Sequence, residues 1–260
     1  MMNVVFGDSF IGPFKLIDDD NLEVYKFKGA TMKGLGKKNN ENSIKIKNIV
    51  KKNQNRINCL VFNFGQVDLH FSFYYVKFHK KETFNMEEIV KNYINFIKKL
   101  KCKKCNKNVL AIFPTTIQDK DVFDCLQIYG ILSKEDIKSI SKSDIEKYSN
   151  YKFRIKMYYD FNKLLKKYCK LNNLRFINCE DKLLDNNNRL RYRFKDQISK
   201  YNIHLLWESL IPILLSKLEK CKIKKKYKYS LNQTYKKYLS NKKKLMNKKL
   251  TKKKISSKNK

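Results

Sequence analysis

No stretch of this sequence approaches the roughly 20 consecutive apolar residues that a membrane-spanning helix needs. The apolar opening is broken by Asp8 after a few residues and has no basic front, so no secretory leader is read there. Histidine is scarce, with three in 260 residues, which limits a histidine base to His70, His79 or His204. Acid is scarce too: 24 Asp and Glu stand against 59 Lys and Arg, for a net charge of +35. Residues 222–260 hold seventeen lysines and no acid, leaving +18 of that charge on the first 221 residues. No carboxylate cluster suggests a metal site and no Gly-rich loop ends in Lys-Ser/Thr for nucleotide phosphates, so neither metal nor cofactor is expected. The seven cysteines, an odd and scattered set, are expected as reduced thiols of a cytoplasmic protein. Cys102-Lys-Lys-Cys105 has zinc-ligand spacing, but no second pair follows, and it is read as incidental.

What is present suffices for a core, since 42% of residues are hydrophobic. The expected organisation is a globular body over residues 1–221 and a lysine-rich, disordered tail over 222–260. Such a tail suits a polyanion, nucleic acid or an acidic surface, and admits a nuclear address as well as a cytoplasmic one.

Along the body, short apolar strands alternate with helical periodicity. Asn3 to Phe6, Leu22 to Phe27, Ile57 to Phe64, Asn108 to Pro114 and Leu174 to Cys179 read as strands. Helices are expected at 41–56, with Ile44, Ile46, Ile49 and Val50 inward, and at 86–100, 120–128, 134–148 and 153–172. A last apolar helix is expected to open at Tyr201-Asn202-Ile203-His204. The Phe/Tyr alternation of 71–78 has strand period and is read as core or edge strand. Alternation of this kind argues for an α/β fold with a mostly parallel sheet, in which ligands bind beyond the carboxyl ends of the strands. Every chemically interesting residue falls at such an end. Gly7-Asp8-Ser9 follows the first strand, Gly34 the second, Gly65-Gln66-Val67-Asp68 the third, and Thr115-Thr116 the fourth.

A serine at a strand-ending turn is poised as a nucleophile if a base reaches it. His70 and His79 sit in or beside the aromatic stretch and read as packed or capping residues. His204 comes after all the strands, where a loop could bring imidazole over the sheet edge.

Gly7-Asp8-Ser9, Gly34, Gly65 to Asp68 and His204, in this order, resemble the four blocks of the SGNH (GDSL-type) hydrolases. The resemblance implies a flavodoxin-like three-layer α/β/α sandwich and ester hydrolysis or acyl transfer, on a small acyl ester or a carbohydrate O-acyl group. Ser9 would be nucleophile and His204 general base, with the amides of Ser9 and Gly34 donating to the oxyanion. Two blocks depart from the pattern. Val67 stands where the family carries an oxyanion asparagine, which leaves Gln66 to substitute, and Tyr201 stands where the triad carboxylate is expected. Asn202, Asp196 or another carboxylate could then orient His204. The alternative to an enzyme is a non-catalytic SGNH-like module that binds a polyanion through its tail.

Overall fold

The computed structural model describes residues 1–103, 105–195, 200–224 and 226–227. Five parallel strands form one sheet: β1 (Met2–Gly7), β2 (Leu22–Lys26), β3 (Ile57–Asn63), β4 (Asn106–Leu110) and β5 (Arg175–Ile177), in the order β2-β1-β3-β4-β5. The helices are α1 (Met32–Leu35), α2 (Glu41–Asn53), α3 (Met86–Lys99), α4 (Val122–Ile128), α5 (Lys134–Lys138), α6 (Lys142–Ser149), α7 (Tyr151–Leu171), α8 (Glu180–Leu183) and α9 (Trp207–Lys217). The result is a three-layer α/β/α sandwich.

Central strands of a parallel sheet are covered on both faces and read as unbroken apolar runs. Val4, Val5 and Phe6 of β1 and Cys59 to Phe62 of β3 are accordingly fully buried. The edge strand β2 alternates polar and apolar residues and is only partly covered. β1 lies between β2 and β3, so the chain steps outward to β2 and then returns past β1 to β3. That reversal of strand order opens a crevice at the carboxyl end of β1, where Ser9 stands. A turn of 3-10 helix, Ser9–Leu16, leaves this point and packs against α9. A Cβ on Gly12 would lie 2.4 Å from the ring of Trp207, so the indole sits directly on this turn.

Several elements differ from the expectation. The aromatic stretch is helical with widened turns at Asp68–Ser72 and Tyr75–His79. Its rings have no strand neighbour to pair with; Tyr74 and Phe78 instead pack against Phe123, and Phe78 against Tyr148, so tertiary packing overrides β propensity. Ile44 is 45% exposed, because the inner face of α2 is carried by Ser43, Ile46 and Val50. The 134–148 helix is two, α5 and α6, each started by its own serine cap, Ser133 and Ser141. The last helix begins at Trp207, so His204 lies in the loop before it.

Cys59 lies against Cys221, and Cys102 against Cys105, at Cα separations of 5.6 and 5.8 Å. Cys125, Cys169 and Cys179 are free and buried. The body stays packed beyond residue 221: the Asp18 amide donates to Lys226 O at 2.7 Å, and Ile17 bridges to Tyr227. Most of the expected tail, residues 228–260, lies outside the described residues, as does Asp196. No described helix is long and apolar enough to cross a membrane.

Candidate active site

The turn after β1 can form because residue 7 has no side chain. A Cβ there would lie 2.2 Å from Ile11 Cγ2 and 2.5 Å from the Asn63 carbonyl. Asp8 then caps the 3-10 turn, Oδ1 accepting from the Phe10 amide at 3.0 Å. Burial pushes the Asp8 carboxyl up to about 8, the Phe10 amide opposes the rise, and the nearby Asp68 charge adds to it. The amides of Gln66 and Val67 draw it down further. Asp8 is thus a neutral acid through most of the physiological range, and it shapes the turn that presents Ser9.

Ser9 Oγ lies 2.9 Å from His204 Nε2, across 195 residues of sequence. Three contacts hold the histidine loop. Lys200 Nζ pairs with the buried Asp121 at 2.9 Å, Tyr129 Oη donates to Tyr201 O at 3.2 Å, and Thr116 Oγ1 donates to Asn202 O at 2.6 Å. Asn202 Oδ1 accepts from the His204 backbone amide at 3.2 Å and lies 3.2 Å from His204 Nδ1. A backbone N–H can only donate, so the Asn202 atom facing it is the oxygen. That same oxygen then requires a proton on Nδ1, which leaves the Nε2 lone pair toward Ser9. Burial, then the charge of Lys26, hold His204 down to about 4, so the imidazole is neutral at neutral pH. The ring packs on Phe10 with centroids 4.5 Å apart. Tyr201, in the position of the missing carboxylate, turns its hydroxyl to Asp124 at 3.2 Å.

The third strand ends in a second forced turn. Gly65 has φ +111°, and a Cβ there would meet Met32 Cε at 2.6 Å and Ile112 Cδ1 at 2.8 Å. Gln66 follows, fully buried, and neither its Nε2 nor its Oε1 has a hydrogen-bond partner among the described residues. Asp68 accepts from the Met32 amide at 2.6 Å and the Lys33 amide at 3.2 Å, tying the loop after β3 to the first turn of α1. Burial raises Asp68 to about 6 against those two amides.

Gly34 does not meet its expectation as a free oxyanion donor. Its amide is held by Thr31 Oγ1 at 2.8 Å, as the N-cap bond of α1. With Met32 and Lys33 bound to Asp68, the three amides of this loop are all engaged. His79 pairs with Asp136 at 3.1 Å on the surface. His70 is half-buried; its Nε2 points inward and has no partner among the described residues, and its ring lies 6.1 Å from that of Phe10.

Sequence reasoning placed Thr115 at the end of the fourth strand but passed over its partner, Arg154. The guanidinium, 6% exposed, reaches from α7 to donate to Thr115 Oγ1 and Ile117 O, each at 3.0 Å, and to Asp119 at 2.5 Å. It fixes the loop after β4 on which Thr116 holds Asn202. The available signal was an arginine on the apolar stripe shared with Met157, Tyr158 and Phe161.

A parallel sheet that reverses at β1 and is covered by helices on both faces is the three-layer fold of the SGNH-type esterases and acylhydrolases among solved structures. Among solved structures the chain is similar to a GDSL-like lipase from Bacteroides thetaiotaomicron, at 14% identity over 85% of this chain and 88% of that one, with a TM-score of 0.51. It is likewise similar to a carbohydrate acetylesterase from Sinorhizobium meliloti, at 12% identity over 85% of this chain and 98% of that one, with the same TM-score of 0.51. No protein-family model matches the sequence, and no curated protein does. At such identities the likeness is one of fold.

Proposed function

We propose that this chain is a serine esterase or acyl-transferase of SGNH type. The observation that carries the reading is the 2.9 Å approach of Ser9 Oγ to His204 Nε2, with the nitrogen in its acceptor form. Ser9 Oγ attacks the ester carbonyl and gives its proton to His204 Nε2. The tetrahedral intermediate collapses, and the alcohol leaves with that proton. Water, deprotonated by the same nitrogen, then releases the acid; an acceptor alcohol in its place gives acyl transfer.

The Ser9 amide and the Gln66 side chain are the proposed oxyanion donors, since a buried amide group without a partner is a costly thing to keep unless something arrives to accept from it. Asn202 replaces the triad carboxylate. It sets the tautomer but brings no charge to the imidazolium, so turnover is expected well below that of a full triad. The carbohydrate acetylesterase of like fold favours a glycan O-acyl group as the ester that is cleaved.

The test is labelling by a neutral fluorophosphonate. Wild type should react, Ser9→Ala should not, and His204→Ala should react far more slowly. A protein that stays unlabelled across the pH range would sink the reading. Because the base must be neutral and His204 is held down to about 4, the labelling rate should rise through that pH and be flat above it. Asn202→Asp should move this acid limb upward by one pH unit or more and speed turnover, roughly tenfold or better.

A second role rests on composition alone: seventeen lysines and no acid over 222–260 favour docking to a polyanion. Removing residues 228–260, which leaves the packed segment up to Tyr227 in place, should abolish salt-sensitive nucleic-acid retention and leave Ser9 labelling intact.

A further inference from the structure

A cavity of about 490 Å³ lies beyond the carboxyl end of β4, between the loop 115–120, the first residue of α7 and the segment 189–195. Ligands of parallel sheets bind beyond this edge. Thr116, Asp119, Lys120, Tyr151, Arg189 and Lys195 are among its walls. The charge there is one-sided. Asp119 is the one acid among the described lining residues, and Arg154 Nη2 already donates to it at 2.5 Å. Lys120, Arg189 and Lys195 therefore line a space whose single carboxylate is answered from within the protein. Among the described residues neither Lys120 nor Arg189 forms an ion pair.

Arginine is rare in this chain: six stand among the 59 basic residues, and the others are lysine. Three of the six, Arg189, Arg191 and Arg193, fall within five residues of the segment that walls the cavity. Lysine satisfies a need for solvated charge, whereas the rigid fork of arginine adds paired, directed donors to an oxyanion. The Arg189 fork is held ready. Its Cζ lies 5.8 Å from the centroid of the Tyr151 ring, and the Tyr151 hydroxyl donates to the carbonyl of Asn188, the residue before it, at 2.7 Å. A guanidinium ordered in advance loses less freedom when a ligand arrives. The volume falls within the range of about 300–1,000 Å³ that small organic ligands occupy, so a bare anion would fill only part of it. Thr116 and Gln118 offer polar groups to the remainder. Thr116 gives its proton to Asn202 O, which leaves its oxygen to accept from a ligand hydroxyl.

We propose that this cavity binds a small phosphorylated molecule with a hydroxylated organic part, of about the size of a sugar phosphate. Arg189 gives paired N–H donors to the phosphate oxygens, Lys120 and Lys195 balance its second charge, and Thr116 and Gln118 meet the hydroxyls. The site stands apart from the Ser9–His204 pair and does not need that pair to react. One link joins them: the Thr116 hydroxyl holds the Asn202 carbonyl of the histidine loop at 2.6 Å.

Calorimetric titration of the full chain with glucose 6-phosphate, inorganic phosphate and glucose tests this, in about 150 mM salt so that the general attraction of a +35 chain is screened. Glucose 6-phosphate should bind about tenfold tighter than inorganic phosphate, and glucose should not bind. Arg189→Lys keeps the charge and removes the fork. It should weaken glucose 6-phosphate about tenfold without moving the melting temperature, because the side chain is exposed. Arg56→Lys, just before β3 at the opposite end of the sheet, should change nothing. Ser9→Ala should bind as wild type does, so the result stands whatever becomes of the esterase reading. No binding of glucose 6-phosphate at millimolar concentration overturns the proposal, and so does equal binding by wild type and Arg189→Lys, which would reduce the site to bulk positive charge. Inorganic phosphate bound as tightly as glucose 6-phosphate overturns the organic half of the assignment. A single-stranded oligonucleotide that displaces glucose 6-phosphate and is itself weakened about tenfold by Arg189→Lys would make the arginine segment a nucleic-acid surface, and it too would overturn the small-molecule site.

Discussion

Two adjacent strand ends, that of β1 and that of β3, solve the same problem by different means. Each buried strand stops at a glycine that a side chain would block, and within three residues each places a buried aspartate on helix amides. Asp8 caps its own turn two residues away, whereas Asp68 reaches back 36 residues to α1. The local cap builds the seat of the nucleophile. The distant one locks two loops together around it. A turn that must aim one atom is thus specified within a tripeptide, while the walls of the crevice depend on contacts between separate segments.

Glycine replacement should separate the two ends most sharply. Gly7→Ala should cost about 4 kcal/mol, because one of its clashes is with a backbone carbonyl that cannot move aside. Gly65→Ala should cost about 3 kcal/mol, since the Met32 side chain can yield although φ is strained. Urea unfolding of both variants checks the order, and a milder Gly7→Ala would show that the first turn relaxes.

Gln66→Met comes next. It should slow ester cleavage about 10²-fold by removing an oxyanion donor, with the melting point unchanged or raised because two orphaned polar atoms disappear. An undiminished rate would leave Gln66 as an inert filler of the second turn.

The smallest effects separate the two aspartates by pH. Each carboxyl is raised by folding, so the unfolded chain loses its proton first and stability falls as pH rises, by about 1.4 kcal/mol per pH unit for each. For Asp68 this loss runs from the ordinary carboxylate range to about 6, for Asp8 on to about 8. Asp8→Asn should therefore remove the decline in melting temperature between pH 6 and 8, while Asp68→Asn should flatten only the part below 6. Identical profiles would mean that the pair titrates as one group.

The same contrast explains what could be read in the sequence. β1, β3 and the placing of Ser9 at a strand end follow from local apolar runs and a turn tripeptide, and His204 followed from its place after the last strand. Asn202, two residues before it, was visible as the neutral neighbour of the imidazole. Contacts between segments were not legible. Nothing in Gly29 to Gly36 announces that Thr31 captures the Gly34 amide, because a cap bond is indistinguishable in sequence from a free loop. Cys59 and Cys221 meet only when the sheet and the end of the body are assembled. The aromatic stretch alternates like a strand, yet its rings are gathered by α4 and α6 from later in the chain, which period alone cannot register.

The seating of Trp207 on Gly12 has an optical consequence. The chain contains a single tryptophan, and its indole lies against the short turn that begins at Ser9. Excited at the red edge, where its sixteen tyrosines do not absorb, the protein therefore emits from one indole, seated on Gly12, three residues along the backbone from the proposed nucleophile. Acylation of Ser9 that shifts the turn would change the spectrum of the whole molecule, giving a stopped-flow signal for acylation and deacylation without any attached dye.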